Sequence, residues 1–411
     1  MPSRLIESLA TTEEMAEVFS DAAVLGAMLR FEAALAAAQA RLGMIPGSAA
    51  EAIARVATVE KFDAAAIARE ARESASVAIP LVKALTAAVG GESSGFVHWG
   101  ATSQDVLDTA LVLMLARARA AMEAEQARIE AGLRDLSQRH AGTVMLARTL
   151  LQPAAPTTFG YKAAGWFAQV RRCWRRLARA FEEALVAQFG GAAGTLAFYG
   201  ERGVELGREV ARELGLGEAT PWHAHRDRLA AVVANCGIYT GAMGKIARDV
   251  SLLMQAEVGE VAERGGGSSA MPGKRNPAGS AMVLAAAVRV PGMISSFLMG
   301  MVQEHERACG GWQAEWPTVT EVVQATGSAM ATLAEMTGGL TVNAERMRAN
   351  LEAAGGAVFA EKAAMELAEK VGRETAQSRV AEMLKDGSVQ GRAEDWLGSA
   401  ESLRQRLLET E

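Results

Sequence analysis

Aromatic residues are scarce in this 411-residue chain, 5% of the total, and prolines number ten. Strands draw on aromatic and β-branched side chains, so the shortage argues against an all-β fold. Few prolines leave long helices free of breaks. The three cysteines, Cys173, Cys236 and Cys309, are too few and too scattered for a disulfide framework, and no CxxC pair offers a zinc knuckle. Buried, reduced thiols are the plain expectation. No HxxxH spacing or Asp/Glu/His cluster argues for a metal. A basic surplus is missing too: the formal net charge of -6 speaks against a nucleic-acid surface. A pocket in an acidic protein can still be locally positive. The first residues, MPSRLIESLATTEE, lack the apolar segment of a secretion signal. The most apolar window, Gly279 to Val302, is interrupted by Arg289 and Pro291, which predicts a buried core helix and no membrane span. The expected compartment is the cytoplasm.

What the chain does have is hydrophobic residues, half of the total, with alanine and leucine dominating. That balance suits long packed helices. Thr11 or Thr12 can cap a helix whose apolar residues, Met15, Val18, Phe19, Ala22 and Leu25, recur at helical spacing. A helical hairpin turns near Gly43-Met44-Ile45-Pro46-Gly47. Gly90, Gly91, Gly95 and Gly100 mark irregular backbone around His98. Long helices are predicted from Asp105 to about Gln138, from about Thr157 to Val186, and from about Asp227 to Ala262. Another begins after Pro277, with a kink at Pro291. Composition turns polar after Gly338. Glycine-rich segments alternating with such helices read as a bundle with functional loops at its ends. Apolar faces nearly all round suggest burial against other subunits as well.

Four segments carry chemistry. The first is Gly267-Ser268-Ser269-Ala270-Met271-Pro272-Gly273-Lys274-Arg275-Asn276-Pro277. Its glycines allow a mobile lid, its prolines stiffen the far side, and Lys274 and Asn276 can hold a carboxylate. The second runs His98-Trp99-Gly100-Ala101-Thr102-Ser103-Gln104-Asp105 with Asp108-Thr109, where Thr102 and Ser103 can donate hydrogen bonds to a carboxylate. Asp105 and Asp108, at i and i+3 of a helix start, suit the positive dipole end at least as well as a catalytic role. The third is Arg148-Thr149-Leu150-Leu151-Gln152 with Pro156-Thr157-Thr158. The fourth is the turn Gln188-Phe189-Gly190-Gly191-Ala192-Ala193-Gly194-Thr195.

In this order, over residues 10 to 340, the segments resemble those of the fumarase/aspartase superfamily, including its GSSxMPxKxNP signature at every fixed position. At roughly one chance in 20 per position, such a match is not accidental. The resemblance implies an all-α, three-domain fold with a long central helical bundle: 1–104, 105–341 carrying the signature loop 264–277, and 342–411. It further implies a homotetramer whose active sites draw on three subunits, a small di- or tricarboxylate substrate, and no cofactor. Ser268 would be the proton-transfer residue, activated by nearby positive charge and main-chain N–H groups. Lys274, Asn276, Thr102, Ser103, Thr149 and Gln152 would stabilise an enediolate. Arg148, Arg226 and Arg307 would offset substrate charge, with His98 and His223 as further contacts. His225 shares the setting of His223, His305 reads as a helix residue and His140 as a helix end.

Two departures from the superfamily pattern carry weight. Lyases of this kind have a histidine general acid where Leu150 stands, and the glutamate that holds it falls at Ala281. Expelling an amine or hydroxide needs a proton donor. Expelling a carboxylate, whose conjugate acid has a pKa near ~4, does not. The resemblance therefore narrows to the 3-carboxy-cis,cis-muconate cycloisomerases, in which a substrate carboxylate adds across a C=C bond to close a lactone during aromatic-acid breakdown by the β-ketoadipate route. Pro221-Trp222-His223 with Arg226-Asp227, Asn276-Pro277-Ala278-Gly279, and Gln303-Glu304-His305-Glu306-Arg307 running to Trp312 and Trp316 resemble that branch. Gly273 stands where many of its members carry histidine. The alternatives are a C–N or C–O lyase releasing fumarate from a succinyl-type substrate, similar to adenylosuccinate lyase, and a catalytically silent relative.

Overall fold

The computed structural model describes residues 5–410 and is built almost wholly from helices. Thr12 caps α1 (Glu13–Val18), its side chain accepting from Met15 N–H. The apolar run does not continue as one helix: Ser20 starts a new one, α2 (Asp21–Arg41), by accepting from Ala23 N–H at 3.1 Å. α3 (Ser103–Arg139) has 37 residues, about 55 Å at the usual rise. The remaining long helices are α4 (Phe159–Ala184), α5 (Asp227–Leu253), α6 (Ala278–Gly300), with Pro291 inside it, and α7 (Gly311–Gly339). A shorter helix, α8 (Ala344–Ala353), opens the C-terminal segment and is capped by Asn343.

Two small sheets interrupt the helices, where the sequence alone predicts none. β1 (Val144–Thr149) and β2 (Gln152–Thr158) pair antiparallel, with Thr149 opposite Gln152. Leu150 and Leu151 form the two-residue turn, at φ values of 50° and 65°. Left-handed backbone at both turn positions matches the twist of a hairpin but is costly for leucine. β3 (Val261–Ala262) pairs with β4 (Thr341–Val342). The predicted helix from Asp227 therefore stops at Leu253, before Ala262: Gly259 turns left-handed at φ 61°, and Glu260 N–H closes back on the Leu253 carbonyl at 2.9 Å.

The chain divides into two compact units, Met1–Glu123 with Arg175–Ile238 and Val288–Ser328, and Ala124–Trp174 with Tyr239–Ala287 and Ala329–Glu411. In the second unit the C-terminal segment has a core of its own, in which Leu351, Val358, Phe359, Val380 and Val389 pack on Val144 and Leu146 of β1.

By length and composition two helices, α5 and α6, could cross a membrane; 61% of the most apolar stretch of α5 is buried, but 17% of that of α6. The expectation that Gly279 to Val302 is a core helix thus fails for the single chain. Val288, Met299 and Val302 are 76%, 72% and 86% exposed.

The signature loop hangs from one buried carboxylate. Glu263 Oε2 accepts from Gly279 N–H at 2.8 Å, and Oε1 from Ser280 N–H at 3.1 Å and Ser280 Oγ at 2.5 Å. It caps α6 from outside the helix, meeting unpaired N–H groups and the positive end of the dipole together, and so pins both ends of the loop. Glu263→Ala should lower stability by about 1–3 kcal/mol, the usual effect of orphaning buried donors. It should also speed proteolysis within residues 265–277. An unchanged thermal midpoint together with unchanged cleavage would contradict this.

Candidate active site

The first unit assembles the segment that runs from His98 into α3. Asp105, fully buried in the first turn, accepts from Thr102 N–H at 3.1 Å, Gln188 Nε2 at 3.0 Å, and Gly190 and Gly191 N–H at 2.9 Å each. One carboxylate thereby fixes the Thr102 turn against the Gly190 turn. A side chain at residue 190 would collide with the His223 ring, which requires the glycine. Thr109 Oγ1 donates to the Gln188 carbonyl and accepts from Gln188 N–H. Asp105 and Thr109 are thus scaffold. His223 is 4% exposed, with Nε2 buried 3.3 Å from Asp105 Oδ1 but off the line of a hydrogen bond.

One turn on, Asp108 meets Arg226. The guanidinium donates from Nη1 to Asp108 Oδ2 at 2.7 Å and the His223 carbonyl at 3.3 Å, and from Nη2 to Asp108 Oδ1 at 3.0 Å and Glu315 Oε2 at 2.7 Å; Nε reaches Glu315 Oε2 at 2.9 Å. All five N–H donors of an arginine are then used, and the side chain is 1% exposed. This corrects the expectation that Arg226 binds substrate: it has no donor left to give. Burial lowers its pKa, but Asp108 and Glu315 more than offset this and raise it; burial pushes the Glu315 carboxyl up against the pull of Arg226. Trp312 Nε1 completes the shell by donating to Asp108 Oδ1 at 3.0 Å.

Arg307 is different. Its Nε donates to Gln104 Oε1 at 2.8 Å, and Nη2 to Thr102 Oγ1 and the Ala192 carbonyl at 3.3 Å each. Nη1 makes no hydrogen bond among the described residues, and the side chain is half-buried. Thr102 and Arg307 are therefore brought together with a cationic donor to spare. Ser103 begins α3 beside them, also half-buried. His98 lies in the same segment, with Nδ1 2.6 Å from Glu32 Oε1 and a side chain 17% exposed. Burial lowers its pKa, but Glu32, aided by Asp105, outweighs this and holds it above its ordinary value. A raised histidine pKa stabilises the fold below the unfolded value and loses that contribution as pH climbs through the folded one.

The second unit carries the hairpin and the signature loop. Arg148 forms a two-pronged pair with Glu260, Nη2 to Oε1 at 2.6 Å and Nη1 to Oε2 at 3.1 Å, and Asn350 Nδ2 adds a 2.7 Å bond to Oε1. Glu260 is fully buried, so Arg148 neutralises it in place. Nη1 also reaches the Leu146 carbonyl at 3.3 Å, while Nε and the second Nη2 N–H of Arg148 make no hydrogen bond among the described residues. Thr149 and Gln152 face each other across the hairpin end, both exposed, and Leu150 at its tip is 97% exposed. In the loop, Ser268 Oγ accepts N–H bonds from Ala270 at 3.3 Å and Met271 at 3.1 Å. Two main-chain dipoles aimed at a hydroxyl oxygen favour its anion. Asn276 N–H donates to the Gly266 carbonyl at 2.5 Å and Nδ2 to that of Gly267 at 3.2 Å, closing the loop on itself. Gly266, at φ 74°, leaves no room for a side chain against the Asn276 backbone. Lys274 is exposed.

A family model for lyases matches residues 7–292. A 3-carboxy-cis,cis-muconate cycloisomerase of Bradyrhizobium diazoefficiens is 44% identical over 382 residues, 91% of this chain and 85% of the relative. The crystal structure of 3-carboxy-cis,cis-muconate lactonizing enzyme from Pseudomonas putida superimposes with a TM-score of 0.93 at 37% identity, covering 98% of each chain. The chain belongs to the fumarase/aspartase superfamily of lyases. It is an enzyme with that superfamily's helical fold. A nitrosuccinate lyase of Streptomyces davaonensis is as similar in sequence, 44% identical over 87% of this chain and 79% of the relative.

Sequence reading missed the acids behind the site: Glu32, Glu260, Glu263 and Glu315. All are buried, and a buried carboxylate has no local motif. Glu32 alone left a signal, as an acid within the apolar stretch of α2 from Ala23 to Ala38. Among the described residues no group of three or more His, Cys, Asp or Glu is disposed to hold a metal ion.

Arg226→Ala strands two buried carboxylates. Removing one partner of a buried pair costs about 3–5 kcal/mol, and urea denaturation should show a loss of that size. A loss below about 1 kcal/mol would mean that the cluster holds nothing together.

Proposed function

We propose that this enzyme converts 3-carboxy-cis,cis-muconate to 4-carboxymuconolactone by intramolecular carboxylate addition, a step in aromatic-acid degradation. One observation carries the reading. The loop that moves the proton is intact around Ser268, Lys274 and Asn276, while Leu150 and Ala281 stand where the lyases of the superfamily keep an acid and its holder. Leu150 is almost fully exposed at a hairpin tip that bears no ionisable side chain on either turn residue. Chemistry at such a site cannot wait for a proton on the leaving group.

In the lactonising direction, a substrate carboxylate oxygen bonds to one alkene carbon. The π pair moves to the neighbouring carbon and into its carboxylate as an enediolate. Ser268 passes its proton to that carbon and is left as an oxyanion, which the Ala270 and Met271 N–H groups stabilise until solvent reprotonates it. Lys274, Asn276, Thr102, Ser103, Thr149 and Gln152 steady the enediolate. Arg307, with its unused Nη1, takes a substrate carboxylate. Arg148, Arg226 and His223 act behind these groups as fixed charges and supports. The exposed apolar face of α6 supports a homotetramer in which a second chain covers it and pockets draw on different protomers. We place the enzyme in the cytoplasm.

Elimination of nitrite from nitrosuccinate is the second reading, favoured by the relative of that name. Nitrite is about as weak a base as a carboxylate, so the same missing acid fits.

Purified enzyme should consume 3-carboxymuconate, followed by loss of the diene absorbance, faster than it releases nitrite from nitrosuccinate. Ser268→Ala should cut turnover by about 10²–10⁴-fold, the usual worth of a general acid–base group, with helical content unchanged. Nitrite release without lactone formation would replace the first reading by the second, and a Ser268→Ala enzyme above about a tenth of wild-type rate would overturn both.

A further inference from the structure

α2 buries an apolar face built from Leu25, Met28, Leu29, Phe31, Leu35 and Ala38, yet two polar residues lie within it, Glu32 and Gln39, at 1% and 0% exposure. They are seven residues apart, two helical turns, and so share one side of the helix. Both serve the same turn. Gln39 Nε2 donates to the Trp99 carbonyl at 2.7 Å and to Tyr199 Oη at 2.9 Å; the Tyr199 hydroxyl in turn donates to the Trp99 carbonyl. Glu32 Oε1 meets His98 Nδ1 at 2.6 Å. Its Oε2 has no hydrogen-bond partner among the described residues.

Burying a carboxylate without a counter-charge is costly enough that the group would ordinarily be paired or neutralised. Among the described residues His98 is the one partner at hand. Its backbone stands at φ 55°, left-handed and uncommon for a side-chain-bearing residue. Such a conformation persists where the surroundings over-determine it, and the ion pair and the Gln39 bonds do that. The titratable groups acting on the ring are Glu32 from α2 and Asp105 from the first turn of α3. Among the described residues no cation acts on the ring against them. With Nδ1 taken by Glu32, the remaining polar atom of the ring is Nε2, on the side away from the carboxylate.

We propose that Glu32 is a positioning residue that keeps His98 an imidazolium, so that Nε2–H serves as a fixed cationic donor to a substrate carboxylate next to Thr102 and Ser103. The contact with substrate rests on the carboxylate substrate proposed above; the coupling of Glu32 to His98 does not.

The two parts separate in one experiment on the intact enzyme. With ¹³C-labelled histidine, and five histidines in the chain, the His98 signal is assigned by its loss in His98→Asn. In wild type its midpoint should lie above the ordinary 6.5. In Glu32→Gln it should fall by at least about one pH unit, a tenfold loss of imidazolium above the midpoint. KM for 3-carboxymuconate at pH 8 should then rise about tenfold with kcat changed less than about threefold, since a uniform binding contact is lost. Glu32→Asp should recover part of both. A wild-type midpoint at or below 6.5 overturns the proposal without any variant, as does a midpoint that Glu32→Gln leaves in place. A shifted midpoint with an unchanged KM overturns the substrate contact. A shifted midpoint in an enzyme inactive on 3-carboxymuconate sinks the activity reading and leaves the coupling standing.

Discussion

Asp105 and Asp108 sit three residues apart at the start of α3, both out of water, and the site is arranged around what each of them needs. A buried carboxylate must be met by donors or a cation. Asp105 gathers the donors, and in doing so locks the Thr102 turn to the glycine turn at residues 190 and 191. Asp108 gathers the cation, and Arg226 brings Glu315 and the start of α7 with it. Gln104 bridges the two systems, donating to Asp108 and to the His223 carbonyl while accepting from Arg307. The residues free to touch a ligand, Thr102, Ser103 and one edge of Arg307, are held by side chains that are not. Positioning of this kind lets a donor act without reorganising as charge develops.

In the proposed mechanism proton chemistry falls to another segment, a loop that the fold leaves long and glycine-rich but ties at its base through Glu263. A serine is a poor base unless its anion is stabilised, and the two N–H groups at Ser268 Oγ supply that locally. At the hairpin, where the resemblance to the wider superfamily implies an acid, this chain presents a strained pair of leucines. The proposed combination is asymmetric: help for making and protonating the carbanion, none for the leaving group. Relatives that act on carboxymuconate and on nitrosuccinate are equally close in sequence, and both reactions tolerate that asymmetry.

How far the sequence foretold this depended on the range of the interaction. The signature loop, the Thr102 segment and the long helices were legible because their signals are local: fixed spacings, glycines, periodic apolar residues. The hairpin was not, since proline is ordinarily excluded from strands, yet the paired edge of β2 tolerates Pro153 and Pro156. Arg148 and Arg226 read as substrate ligands because an arginine in a motif shows its charge but not its partner. Glu260 lies 112 residues from Arg148, and Asp108 lies 118 from Arg226. The apolar stretch in α6 was taken for core because hydrophobicity marks a surface that must be covered without saying which chain covers it.

In the proposed mechanism the leaving group departs without a proton. A series of succinates differing only in the β-substituent, from nitro through thiolate to amine, tests it through the slope of log kcat against the pKa of the departing group. A steep negative slope is predicted, with rates falling by orders of magnitude from nitrite to amine. A flat slope, with the amine expelled about as fast as nitrite, would mean that an acid operates in this site and would contradict the proposed mechanism.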